Sequence, residues 1–192
     1  MDYSRPSRQA IVAASLAGAT LVYPTVVYAT RSIAPSMVFV VLALALICVR
    51  VTLVRSPTTR DWRVPLICAG AILASLAMLN SALAAKAYPV AISSAAVATF
   101  ATSLLRPPSL IEQFARIQEP NLSPEGQSYC HKVTIVWTAW LTINTAIAAG
   151  LALWGSDAAW AIWTGFLAYV CIGILFFGEI VFRKLIRRTP VG

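Results

Sequence analysis

Long apolar stretches alternate with short polar segments along the whole chain. Each stretch is close to the roughly 20 residues that an α-helix needs to cross the hydrocarbon core of a bilayer. The sequence therefore predicts an all-α, polytopic membrane protein, a six-transmembrane-helix bundle forming a single membrane domain over residues 1–192. The predicted spans lie at about residues 10–30, 35–54, 64–83, 88–105, 133–154 and 158–182.

The boundary between the third and fourth predicted spans carries few polar residues. Only Asn80, Ser81, Lys86 and Pro89 interrupt a mostly apolar run of about 40 residues. One helix of that length would be about 60 Å long, twice the hydrocarbon thickness. Two spans are therefore predicted, with a turn near Lys86 and Pro89, because proline disfavours a helix interior.

The basic residues predict the orientation of these spans. With the N-terminus in the cytoplasm, 13 of the 15 Lys and Arg residues fall on the cytoplasmic side, and only Arg31 and Lys86 fall outside. This asymmetry follows the positive-inside rule, so both termini are predicted to be cytoplasmic. The apolar run after Arg8 is nearer to span length than to the short core of a signal peptide. The predicted location is the bacterial inner (cytoplasmic) membrane, crossed several times.

Composition limits the classes of partner. Hydrophobic residues make up 59% of the chain, charged residues only 11%, and the mean hydropathy is +0.76. The net charge of +8 could suggest nucleic acid, but such binders gather their basic residues on a soluble face. Here they border apolar segments, so the expected partners are membrane lipids with anionic head groups at the cytoplasmic face, and not nucleic acid. The four cysteines are expected to be reduced and mostly buried.

The polar segment 106–132 is the longest between the predicted spans and is expected to form a cytoplasmic loop. Ser109 is a plausible N-cap for an amphipathic helix over residues 109–118 that lies along the membrane surface. Its apolar face would carry Leu110, Ile111, Phe114 and Ile117, and its polar face Glu112, Gln113 and Arg116. Ser123 and Pro124 are expected to start the next helix, which continues into the fifth span.

Candidate chemistry is sparse. Glu112, Glu119 and His131 are weak catalytic candidates because they gather in the one sizeable polar loop, where solvation alone would also place ionisable residues. Arg106 and Arg116 are candidates for binding at the cytoplasmic interface. The single histidine and three aspartates make a metal site improbable on composition, and no cofactor is expected.

Polar residues inside the spans form a second set of candidates. Asn80, Thr142 and Asn144 are candidate intramembrane binding residues, and the alternative is that they only pack helices. Glu179 is expected to form an ion pair with Arg183 near the cytoplasmic interface. Arg50 lies close enough to the inner end of its span to extend toward the interface.

Four segments carry a resemblance to a known family: NSALAAKAYPV, RPPSLIEQFARIQEPNLSPEG, HKVTIVW and FFGEIVFRK. Over about residues 80–184 the chain resembles an uncharacterised family of small bacterial inner-membrane proteins. Members of that family are often encoded beside aryl-polyene or fatty-acid-like biosynthetic genes. The resemblance implies an accessory role near acyl-carrier or lipid-export machinery, and it brings no catalytic residue with it.

Three functional hypotheses follow from these observations. The first is an accessory or scaffold protein for a lipid or aryl-polyene biosynthesis or export system, with cytoplasmic biosynthetic or carrier proteins as partners. The second is a small transporter or lipid flippase, which requires the intramembrane polar residues to converge on one cavity. The third is an interfacial lipid-modifying enzyme that uses the loop 106–132, which requires its acidic residues and His131 to share a pocket.

Overall fold

The computed structural model describes residues 8–53 and 60–186, and 90% of this part of the chain is helical, with no strand. Eight α-helices and one π-helical turn follow each other in these ranges. They are α1 (Arg8–Thr30), α2 (Ser36–Leu53), α3 (Arg60–Leu79), α4 (Ser81–Leu105), α5 (Leu110–Gln118), α6 (Pro124–Trp154), α7 (Asp157–Ile162), the π-turn (Trp163–Leu167) and α8 (Ala168–Ile186).

Six of these helical segments are long and apolar enough to cross a membrane, when α7, the π-turn and α8 are counted as one. This confirms the predicted all-α class and the number of span-length helices. We call the end of the bundle that carries residues 106–123 the loop end. The opposite end, at residues 31–35, Asn80 and residues 155–156, is the turn end. Assignment of the loop end to the cytoplasm stays a prediction.

The connection between α3 and α4 differs from the sequence prediction. Asn80 alone separates the two helices, and its Oδ1 accepts a hydrogen bond from the Leu83 N–H at 3.0 Å, which caps α4. Lys86 and Pro89, where the turn was predicted, both lie inside α4. The prediction was wrong because it placed the turn at Pro89. Asn80 was the stronger turn signal, since an asparagine side chain can accept hydrogen bonds from the first N–H groups of a new helix.

Pro89 is tolerated in α4 because another helix supplies the missing hydrogen bond. Proline has no N–H, so the carbonyl of Ala85, four residues earlier, loses its partner within the helix. The Tyr23 hydroxyl of α1 donates to this carbonyl at 2.9 Å and also lies 3.2 Å from the Phe39 carbonyl of α2. One buried hydroxyl therefore joins α1, α2 and α4.

Arg50 does not extend toward the interface as predicted. Its guanidinium donates to the Leu16 carbonyl at 2.8 Å and to the Thr20 hydroxyl, both on α1. The Thr20 hydroxyl also lies 3.1 Å from the hydroxyl of Tyr88 on α4. The Arg50 guanidinium therefore stays within the bundle. The Leu16 carbonyl and the Thr20 hydroxyl replace part of the water that would otherwise hydrate it.

Helix α4 lies at the centre of the bundle and contacts α1, α2, α3, α5 and α6. The main core gathers around its buried Ala84, Ala85 and Tyr88, with side chains from α1, α2, α3, α6 and α7. The Tyr23 and Tyr88 rings pack with their centroids 4.5 Å apart. Close approach at small residues, as at Ala69 and Ala95 between α3 and α4, agrees with the packing expected for helices in lipid.

Two glycines allow close approaches near the turn end. A Cβ on Gly155, which ends α6, would lie 2.7 Å from the Leu151 carbonyl oxygen, so a side chain does not fit this two-residue turn. A Cβ on Gly165 in the π-turn would lie 3.1 Å from the Thr25 Oγ1 of α1. The last span therefore approaches α1 through its π-turn.

The cysteine prediction is partly wrong. Cys130 is buried, Cys171 is half-buried, and Cys48 and Cys68 are exposed on the outer surfaces of α2 and α3. In a bilayer these two thiols would face acyl chains, which suits a weakly polar side chain as well as burial does.

Replacing Tyr23 by phenylalanine should lower stability by about 1 kcal/mol, because the Ala85 carbonyl would lose its donor while the ring stays in place. Thermal unfolding of the detergent-solubilised protein measures this. Tyr28→Phe is the matched control, since the described contacts of Tyr28 involve its ring and carbonyl and not its hydroxyl. Equal unfolding midpoints for Tyr23→Phe and Tyr28→Phe would contradict the bridging role of the hydroxyl.

Candidate functional site

A groove of about 1430 Å³ lies at the loop end, between α5, the first part of α6 and α8. Its polar side chains include Glu119, Glu125, Tyr129, Lys132 and Glu179. Its apolar side chains include Ile111, Phe114, Leu122, Val133, Trp137 and Phe176. Along α6 the lining changes from charged at Glu125 to aromatic at Trp137, so the groove has a polar rim and an apolar wall.

Helix α5 forms one wall of the groove, and its N-terminus is fixed by side chains of α4 and α6. The Leu110 N–H donates to the Ser103 Oγ at 3.0 Å, and the Ile111 N–H donates to the Thr134 Oγ1 at 3.4 Å. Both acceptor residues are buried. The first N–H groups of a helix have no partner within it, so these bonds stabilise the attachment of α5 to the bundle.

Glu112 stabilises this attached first turn from within α5 and is not on an outward face as predicted. Its side chain is only 9% exposed. One carboxylate oxygen accepts from the Ser109 N–H at 3.3 Å, and the other accepts from the Arg116 Nε and Nη2 at 2.9 and 2.8 Å. The carboxylate is turned toward the start of its own helix, where the spacing of Ser109 and Glu112 forms a capping box.

Helix α5 (Leu110–Gln118) buries less of its apolar face than its sequence suggests. Leu110 is buried, whereas Phe114 and Ile117 are 46% and 69% exposed. Only the first turn of α5 packs into the bundle. The remaining turns leave apolar side chains exposed, and their location along a membrane surface stays a prediction.

Helix α8 forms the other wall and is joined to α6 at this end. The Tyr129 hydroxyl donates to the Glu179 Oε1 at 3.1 Å. The predicted Glu179–Arg183 ion pair involves a side chain outside the described residues and stays a prediction. A Cβ added at Gly173 or Gly178 of α8 would meet no other atom within 4 Å, so α8 is not closely packed at these positions.

The predicted catalytic candidates do not share a pocket. Glu119 lines the groove, but Glu112 is held in its ion pair with Arg116. His131 is exposed and is not among the groove's lining residues. Of the two predicted interfacial arginines, Arg106 is exposed beyond the end of α4, and Arg116 is partly exposed beside Glu112. The structure thus separates the groups that acid–base chemistry would need to bring together.

The intramembrane candidates also lie apart. Asn80 caps α4 at the turn end, and Thr142 is exposed on α6, where its hydroxyl donates to the Thr138 carbonyl at 2.8 Å. Asn144 is buried, with its Nδ2 3.4 Å from the Ser93 Oγ of α4 and its Oδ1 accepting from the Trp163 indole N–H at 3.1 Å. These bonds favour the helix-packing interpretation for Asn144.

Sequence analysis missed the residues that give the site its character. Trp137 and Phe176 form part of the apolar wall, and Ser103 and Thr134 hold α5. In the sequence, Trp137 and Phe176 resemble the other apolar residues of the spans. Ser103 and Thr134 resemble the small residues that pack helices together. The one available signal was the aromatic residues soon after the charged start of α6, since aromatic side chains favour the membrane boundary.

Comparison of the chain with known protein families, curated proteins and solved structures finds no match. The family resemblance described above therefore stays a prediction. Among the residues that the structure describes, no three His, Cys, Asp or Glu side chains are grouped to hold a metal ion.

Replacing Glu112 by alanine should fray the first turn of α5, which makes the hydrogen bonds to α4 and α6, and lower the free energy of unfolding by about 2 kcal/mol, because the Ser109 N–H and the Arg116 guanidinium lose a shared charged acceptor. Thermal unfolding and limited proteolysis near residues 119–123 measure the two effects. Glu119→Ala is the matched control, since Glu119 is exposed and helix α5 ends before it. Equal proteolysis of the two variants would show that Glu112 does not anchor α5.

Proposed function

We propose that this multi-pass protein of the bacterial cytoplasmic membrane holds the acyl or polyenyl chain of an amphiphile in its loop-end groove. In this proposal it serves as an accessory component of a lipid or aryl-polyene biosynthesis or export system. The observation that carries the proposal is the combination of a charged rim and an apolar wall in one groove beside α6 and α8.

The dimensions and chemistry of the groove suit an amphiphile. Its volume of about 1430 Å³ exceeds the roughly 300–1000 Å³ of usual small-molecule pockets, which favours an extended ligand. An apolar chain would remove the half-exposed Phe114 and Phe176 from contact with water at the interface. Lys132, Glu119 and Glu125 line the rim, where a polar head group would lie.

The charge asymmetry supports the cytoplasmic leaflet as the source of the ligand. The positive-inside pattern assigns the loop end, and with it the groove, to the cytoplasmic side. An amphiphile made by cytoplasmic enzymes would reach the groove without crossing the membrane. Helix α5 and residues 119–123 border the groove and offer a surface where a synthase or carrier protein can dock.

The polar candidate residues within the spans lie apart from each other. This favours a protein that binds a ligand over one that transports it across the bilayer. Transport needs a polar path, whereas Asn80, Thr142 and Asn144 occupy three unconnected positions. Asn144 in particular uses both its amide groups within the bundle.

Filling the groove should abolish chain binding. Ala115 lines the groove, so Ala115→Trp is expected to block the space beside Trp137 and Phe176. In membranes supplied with a fatty acid that carries a photoreactive diazirine, the wild-type protein should be labelled on peptides containing these two aromatic residues. In Ala115→Trp that labelling should fall to the level of general bilayer contact.

The matched control is Ala146→Trp, which adds the same side chain at an exposed position of α6 away from the groove. Its labelling at Trp137 and Phe176 should equal that of the wild type. Unfolding midpoints of both variants verify that they fold. Equal labelling of the folded Ala115→Trp variant would refute the chain-binding groove.

The accessory role has a separate test. Affinity purification from native membranes should recover a synthase, an acyl-carrier protein or an exporter, and deletion of the gene should change the lipid or polyene profile. Ala115→Trp should retain the protein partner if docking uses the outer surface of α5. Purification without any such partner, together with an unchanged profile, would leave the accessory role without support even if the groove binds chains.

A further inference from the structure

Three charged side chains that are distant in the sequence meet at the turn end. The Asp157 carboxylate lies 3.1 Å from the Arg31 Nε through one oxygen and contacts the Lys86 Nζ through the other. These residues come from the α1–α2 connection, α4 and the start of α7. We call them the ion triad. They include both basic residues that the positive-inside pattern leaves on the outer side.

The triad carries an excess of positive charge. Two cations share one carboxylate, so one positive charge is not neutralised by a described side chain. The Arg31 guanidinium stacks 4.1 Å from the centre of the Tyr28 ring, and its Nη1 donates to the Tyr28 carbonyl. Its Nη2 makes no hydrogen bond within the described residues and remains available as a donor.

A cavity of about 460 Å³ opens beside the triad. Its floor is rigid and apolar, because Phe39, Ala85 and Trp160 are almost fully buried. The indole N–H of Trp160 donates to the Lys86 carbonyl at 3.2 Å, which fixes the backbone that carries the lysine. The hydroxyls of Ser32 and Ser36 line the same space.

We infer that this cavity binds the phosphate group of a phosphodiester at the outer face of the membrane. One phosphodiester carries one negative charge, which matches the excess charge of the triad. An arginine fork, an ammonium group and two hydroxyls are suitable donors to phosphate oxygens, and the apolar floor accommodates the adjoining carbon chain. This site lies at the opposite end of the bundle from the groove and does not depend on the proposed function.

The test uses the full-length protein in nanodiscs of equal parts phosphatidylglycerol and phosphatidylcholine, with bound lipids counted by native mass spectrometry. The wild type should retain phosphatidylglycerol preferentially. Lys86→Gln should weaken that retention about tenfold, as expected when one charge contact is lost at a water boundary. Asp157→Asn should strengthen it, because the variant removes the competing carboxylate. Ser32→Leu should weaken it by filling the cavity while all three charges stay.

The opposite directions for Lys86→Gln and Asp157→Asn separate a binding site from a merely structural ion cluster. A structural cluster would make both variants less stable without enriching phosphatidylglycerol in Asp157→Asn. The inference is overturned if the two variants shift retention in the same direction or not at all, or if Ser32→Leu retains the lipid as the wild type does. Glycerophosphoglycerol, the deacylated phosphodiester of phosphatidylglycerol, is titrated into detergent-solubilised protein to identify the source. Tight binding with the same variant pattern indicates a soluble phosphodiester, and weak binding indicates the lipid head group.

Discussion

The guanidinium of Arg50 lies among span-length helices, one turn before the end of α2, and none of the described ion pairs gives it a carboxylate partner. A cation in that position is costly unless polar groups replace its water. The Leu16 carbonyl and the Thr20 hydroxyl of α1 do so, and Thr20 in turn contacts Tyr88 of α4. The positions of α1, α2 and α4 therefore depend on solvating one charge.

One turn further along α1, Tyr23 also joins helices by hydrogen bonds to buried polar groups. In a bilayer, apolar surface alone gives helices little reason to associate, so hydrogen bonds and close packing decide which faces meet. Tyr23 supplies the donor that Pro89 withholds from Ala85, and Asn144 joins α6 to Ser93 of α4 and to the π-turn. Each bond satisfies a group that lipid would leave unpaired. Small residues then allow the backbones to approach closely enough for these bonds to form.

The sequence was sufficient for features that depend on local chemistry. Span length predicted six crossing helices, and Ser109 and Ser123 correctly marked the starts of α5 and α6. Features that depend on distant partners were not predictable. Pro89 was taken for a turn because its compensating donor lies on another helix. Glu112 is a different case, because the spacing of Ser109 and Glu112 is that of a capping box, a local signal that its assignment to the outward face overlooked. The groove arises from the spacing between α6 and α8, which no periodicity within either helix encodes.

The single-residue connection at Asn80 has a consequence for how the protein is made. Helices α3 and α4 contact each other extensively, and Asn80 alone lies outside helical structure between them. Two spans joined in this way cannot be threaded independently, because the second starts its return within one residue of the end of the first. In a membrane they would enter the bilayer as one antiparallel hairpin, with little more than Asn80 and Lys86 to carry across. The central helix of the bundle would then reach the membrane already paired with α3, its most extensive neighbour.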